Sequence, residues 1–322
     1  MRGLELVLPK IYRLLLPFAL ALSIIGCDMS EPPLRIGTNV WPGYEPIYLA
    51  RELGYINRDR VQLVELLSAT EVIRAYRNGA LDVAALTLDE ALLLRDSGVA
   101  AQVLLISDTS YGADAILART GERLFDLKGK RIGVETSALG AYVLSRALSV
   151  EGLSTADVEV VALEVNQHEE AFIEGSVEAL VTFEPVRSRL MAGGATELFS
   201  SREIPDEVID VLVVRPEVIE DRPEQVKALL DAWFEGVDYL AREPEKSYRL
   251  MSARLGLTPD QMFAAFAGLR IVGRKHNRDL IYAKPSPLLR QAERMGRVMT
   301  DHQLLTRPVD LRAFVVPEDI WE

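Results

Sequence analysis

The chain has 322 residues, 36 of them Lys or Arg and 48 Asp or Glu, so it carries a formal charge of −12, and 49% of it is hydrophobic. A chain this acidic is repelled by nucleic acid and by anionic lipid, which excludes both as partners recognised through charge. With one cysteine there is no intrachain disulfide, and His168, His276 and His302 fall into no zinc-binding spacing, so neither a metal centre nor a cofactor is expected.

Residues 1–26 read as an export signal. Arg2, Lys10 and Arg13 lead into the apolar run 14–25, and small Gly26 precedes Cys27. The run is short for a membrane span. Ile24-Ile25-Gly26-Cys27 resembles the lipobox of bacterial lipoproteins, which implies acylation at Cys27 and a membrane reached through that lipid. Residues 27–33, with Pro32 and Pro33, form a polar, stiffened tether.

Strand and helix signals then alternate. Strands are expected at 34–40, 61–67 and 81–86, and helices at 47–53, 70–77 and 89–95, with breaks at Pro42-Gly43, Gly54, Asn78-Gly79 and Gly98. That order implies an α/β fold with a mostly parallel sheet flanked by helices. Arg35-Ile36-Gly37 recurs as Arg131-Ile132-Gly133, and Gly79-Ala80-Leu81-Asp82-Val83 is echoed at Gly175-Ser176-Val177-Glu178-Ala179. The shared offset of 96 residues predicts two similarly built lobes. Polar residues 107–112 read as a first crossing between them and residues 211–214 as a second. Lobe 1 is then 34–110 plus 213–322, and lobe 2 is 111–212. From Pro223 the chain turns helical, with Val226, Leu229, Leu230, Trp233, Val237 and Leu240 on one apolar face.

Ligands of open parallel sheets sit beyond the carboxyl ends of the strands. Trp41, Tyr44, Glu45, Thr87 and Asp89 fall there in the first lobe, and Ser137 and Glu184 in the second. The aromatics offer flat faces to a ring or a cation, the carboxylates accept N–H donors, and helix starts hold anions. No H-E-x-x-H, phosphate loop or nucleophile elbow is present, so no catalytic residue is expected.

Residues 36–50, followed by Glu52-Leu53-Gly54-Tyr55, resemble the opening of solute-binding proteins of the nitrate, sulfonate, taurine and thiamin-pyrimidine-precursor group of ABC importers. The likeness continues through residues 79–84, 126–133 and Phe183-Glu184-Pro185. It implies the type 2 periplasmic-binding-protein-like fold: two lobes joined by two crossing segments, closing on a small polar organic solute. The implied partners are an ABC permease and its ATPase, with the protein a monomer held by Cys27 on the outer face of the cytoplasmic membrane. Carried over by position, Trp41, Tyr44, Glu45, Thr87, Asp89, Ser137 and Glu184 are the implied ligand contacts, and three carboxylates among them favour an amine-bearing solute. A sensor passing its closed state to a membrane kinase or cyclase, and an enzyme on the same fold, are the alternatives.

Overall fold

The computed structural model describes residues 31–135 and 138–322. The expectations at Cys27 and Ser137 lie outside these described residues. Eleven strands form two sheets: β1 (Leu34–Thr38), β2 (Val61–Glu65), β3 (Val83–Thr87), β4 (Gln102–Ser110), β5 (Asp114–Ala118), β6 (Arg131–Val134), β7 (Glu159–Ala162), β8 (Ala179–Phe183), β9 (Thr196–Ser200), β10 (Ile209–Val214) and β11 (Leu269–Ile271).

The first sheet runs β11-β4-β10-β3-β1-β2 and the second β7-β6-β8-β5-β9. In each lobe three parallel strands, β2-β1-β3 or β7-β6-β8, are followed by an antiparallel strand arriving from the other lobe, β10 or β5. Exchange of strands is what joins the lobes. β3, β5, β8 and β10 are buried along their whole length, as their Val, Leu, Ile and Ala content requires of strands covered on both faces.

The polar stretch 107–112 is mostly the end of β4, with Ser107, Asp108 and Ser110 buried, and the chain crosses at 111–113. The return strand enters the first sheet at Ile209, so the expected boundary at 212/213 falls inside β10. Ser201 ties the two crossings together. Its hydroxyl is 2.8 Å from that of Ser110 and accepts the Gly112 N–H at 2.6 Å.

The helical tail packs on lobe 1. Helix Pro223–Arg242 crosses helix Glu45–Glu52 at Gly236, where an added Cβ would lie 2.4 Å from the Pro46 carbonyl oxygen. Glycine lets the two backbones touch there. Trp233, Phe234 and Trp321 of the tail share one apolar core with Ile47, Leu86 and Val211 of lobe 1.

Candidate functional site

β1 ends at Thr38, and a single 3-10 turn, Pro42–Tyr44, follows Trp41 before helix Glu45–Glu52 begins. This turn carries both first-loop aromatics into the interior, and Trp41 and Tyr44 are buried. Gly43 makes the turn compatible with the site, because a Cβ there would lie 2.0 Å from Asp108 Oδ2 and 2.4 Å from Trp41 Nε1. Gly43→Ala is therefore expected to push both side chains aside and cost about 1–3 kcal/mol of stability, the usual cost of overpacking a buried site. Denaturant unfolding of the wild type and the variant checks this.

Between the lobes lies a cavity of about 20 Å³, with about 310 Å³ between its walls when the mouth is included. The smaller volume has room for about one water. Asn39, Trp41, Tyr44, Ala69, Thr87, Glu90 and Asp210 line it from lobe 1, and Asp114, Glu135, Leu139 and Phe183 from lobe 2. Two contacts bridge the lobes at its edge. Trp41 meets Phe183 edge-on at 5.8 Å and 80°, a favoured aromatic geometry. The Thr70 backbone N–H, in the first turn of helix Ala69–Arg77, donates to Glu135 Oε1 at 3.3 Å.

The walls are acidic, and among the described residues that line the cavity there is no Lys or Arg. Trp41 Nε1 donates to Asp108 Oδ2 at 3.3 Å and Ser107 Oγ donates to the same oxygen at 3.0 Å. Tyr44 donates its hydroxyl to Asp210 Oδ1 at 2.6 Å. Asp108 and Asp210 stand opposite each other on β4 and β10, and burial raises the pKa of both, so the pair holds a proton. Burial, reinforced by Asp108, Glu184 and Glu90, pushes Asp114 up to about 7, against the Ser110 hydroxyl. Glu135 is pushed up to about 8 by burial and Glu90, with the Thr70 N–H opposing. Asp114 Oδ2 has no hydrogen-bond partner, and Asp210 Oδ2 has none beyond the Asp108 carboxyl, although each residue is only 2% exposed.

Of the residues expected from sequence, Trp41, Tyr44 and Thr87 line this cavity. Glu45, Asp89 and Glu184 do not. The Glu45 carboxylate is buried against Arg254, whose Nε donates at 2.8 Å. Glu184 caps the helix that follows it, accepting from Ser188 N at 3.1 Å and Arg187 Nη1 at 3.1 Å. Asp89 is fully buried, and burial followed by Glu90 raises its pKa, with the Thr87 hydroxyl and its own backbone N–H opposing. Glu135, which stands at the end of a second-lobe strand where the sequence places ligand-facing residues, lines the cavity as well; sequence reasoning did not single out Glu90, Asp114, Asp210 and Phe183 of its lining, or Asp108 behind it. For Asp114 and Asp210 the one available signal was an Asp set against an apolar strand run, since an unneeded carboxylate there would only cost stability; Asp108, inside the polar stretch 107–110, gave none.

His168 is also buried, and burial lowers its pKa to about 4, but it pairs with Thr182 Oγ1 at 3.1 Å and does not line the cavity. No group of three or more His, Cys, Asp or Glu among the described residues is arranged to hold a metal. Chemically, this arrangement accepts N–H donors beside flat aromatic surfaces.

A family model described as the NMT1-like family matches residues 28–254. The taurine-binding periplasmic protein of Escherichia coli (strain K12) is 26% identical over 204 residues, 60% of this chain and 63% of that one. A binding protein of Brucella abortus (strain 2308) is 29% identical over 188 residues, 54% of this chain and 58% of that one. The chain thus spans about 60% of the length of these curated relatives. Among solved structures, the alkanesulfonate-binding protein SsuA from Xanthomonas axonopodis pv. citri, bound to MOPS, superposes with a TM-score of 0.77 at 19% identity, covering 89% of this chain and 99% of that one. The desulfurization enzyme DSZB shares the fold too, with a TM-score of 0.66 at 18% identity over 90% and 98% of the two chains. One scaffold therefore hosts both binding and catalysis, and the site has to decide between them.

Proposed function

Given that the chain belongs to the NMT1-like family, we propose that it is the extracytoplasmic solute-binding lipoprotein of an ABC importer, anchored through Cys27. It captures a small polar organic solute by closure of its lobes and delivers it to a permease and its ATPase. The observation that carries this reading is convergence: Trp41, Tyr44 and Thr87 of one lobe and Glu135 and Phe183 of the other line one cavity. A solute there touches both lobes only when they meet, so its binding energy biases the population toward the closed form. The crossings, tied at Ser110 and Ser201, are the hinge about which the lobes part. Carboxylates, hydroxyls and aromatic rings line the cavity, a composition suited to holding a solute. The taurine- and alkanesulfonate-binding relatives make sulfonate- and taurine-like compounds the first solutes to try, and the resemblance of residues 36–55 adds aminopyrimidine-like ones.

Native mass spectrometry of protein purified from its own host is expected to show a bound small molecule. In a thermal-shift screen of sulfonates, amino-sulfonates and aminopyrimidines, a true solute at about 100 times its Kd stabilises by about 2.7 kcal/mol. Silence in both measurements across a broad solute library would sink the reading, and mass-spectrometric turnover of a bound compound would replace it with an enzyme.

A further inference from the structure

Resting on the solute-binding reading, we propose that the solute is a small organic cation, with an ammonium or amidinium group facing Asp114 and Asp210 and its apolar or aromatic body against Trp41 and Phe183. Three independent observations lead there. The first is that the cavity walls hold unused acceptors. Asp114 Oδ2 is buried on a residue that lines the cavity and has no partner, and Asp210 Oδ2 has none beyond the proton that its carboxyl shares with Asp108, which a cation can replace. An N–H-bearing cation supplies both the donors and the missing positive charge.

The second concerns the place where an anion would be held. The first turn of helix Ala69–Arg77 opens toward the cleft, and its backbone N–H groups with the helix dipole suit a negative group. Here the protein's own Glu135 carboxylate, reaching over from the other lobe, takes the Thr70 N–H at 3.3 Å and lies 3.5 Å from the Thr70 hydroxyl. A sulfonate would have to displace Glu135 and then face Glu90, Asp114 and Asp210, with no lysine or arginine among the described residues that line the cavity. The third is the aromatic wall: Trp41 and Phe183 present π surfaces nearly at right angles in a desolvated setting, where cation–π attraction is strongest. Acidic walls, an anion site already occupied and an aromatic box all select the same sign of charge.

The test uses matched probes that differ only in the charged group: ethanolamine against isethionate, and benzamidine against benzenesulfonate. Each is titrated by calorimetry into the full chain, freed of co-purified solute, with small-angle scattering to follow compaction. The expected result is that at least one cation binds ten times more tightly than its sulfonate partner and compacts the protein. Asp114→Asn and, separately, Asp210→Asn should each reduce that preference about tenfold, while far-UV circular dichroism stays unchanged. Tighter binding of a sulfonate, no binding by either cation, or a preference that survives both substitutions overturns the cation assignment. The underlying solute-binding reading fails separately, through silence in the broad library screen and native mass spectrometry.

Discussion

Replacing Arg254 with methionine is expected to cost about 3–5 kcal/mol of stability, the cost of leaving a buried charge without its partner. Glu45 is fully buried at the start of helix Glu45–Glu52, and the Arg254 guanidinium holds its carboxylate while also pairing with Glu65 at the end of β2. The same guanidinium stacks 3.5 Å from the centre of the Tyr48 ring, and the Tyr48 hydroxyl is bonded to Thr38 at the end of β1. One side chain from the helical tail therefore clamps the first loop, β1 and β2. Burial already raises the Glu45 pKa, with Arg254 the main opposing influence, so without Arg254 the carboxyl takes up a proton at neutral pH. The loss should be larger at pH 8 than at pH 5, since protonating Glu45 becomes harder as pH rises. Denaturant unfolding of R254M and of the double variant with Glu45→Gln checks this. The double variant is expected to regain much of the loss, and an R254M cost below about 1 kcal/mol at pH 8 would show that the pair is no clamp.

How much of this was legible in the sequence depended on how local the physics was. The repeat at an offset of 96 residues was legible because each lobe repeats one local task. Arg35 bonds the Asp82 carboxylate through its backbone and side chain at 2.8–3.1 Å and reaches the Gly79 carbonyl, pinning β1 to the turn before β3. Arg131 does the same with Glu178 and the Gly175 carbonyl at 2.9–3.3 Å, pinning β6 to the turn before β8. Helix Ala69–Arg77 was legible for a similar reason, because Ser68 accepts the Glu71 N–H and Gly79 takes a left-handed φ of +74° just past its end.

The acidic lining was not legible because no local pattern builds it. Asp108 and Asp210 meet only because β10 returns from the other lobe and inserts between β3 and β4, and Asp114 joins them from the opening of β5. Glu45 misled for the same reason. It stands beside Trp41 and Tyr44 in the chain, but its partner Arg254 is 209 residues away. Position after a strand identified the aromatics, whose size fills the nearest cavity. It could not say which carboxylates were already neutralised.

Raising the pH is expected to loosen the empty protein, opening its cleft. Asp114, at about 7, and Glu135, at about 8, bind protons more tightly in the folded state than their unfolded values of about 4 allow. Asp89, Asp108 and Asp210 are raised in the same direction by burial. For an acid raised on folding, the folded state holds the extra proton, so stability falls as pH climbs from the unfolded pKa to the folded one. An acid loses about 1.4 kcal/mol for every pH unit that separates its folded from its unfolded pKa, which makes the total on the order of several kcal/mol between about pH 4 and 8. The groups facing these acids do not cancel the effect: Asp108, Glu184 and Glu90 bear on Asp114 against the Ser110 hydroxyl, and Glu90 and Glu164 on Glu135 against the backbone N–H groups of Thr70 and Ala69. Asp82, Glu178 and Glu207 are lowered by arginine partners and keep their contribution until the pH drops toward about 4, so the optimum lies on the acid side of neutral. Parting the lobes rehydrates the cluster without unfolding either sheet, so the strain is released first at the Thr70 to Glu135 contact. The solute-free chain should therefore melt at a higher temperature at pH 5.5 than at pH 8.5 and show a larger radius of gyration at the higher pH. Glu135→Gln, which keeps an acceptor for Thr70 while removing the charge, and Asp114→Asn should each flatten both trends. A melting temperature that rises from pH 5.5 to 8.5, with an unchanged radius, would mean that the carboxylates are ionised and matched by cations, and the cleft would then have no need of a positively charged guest.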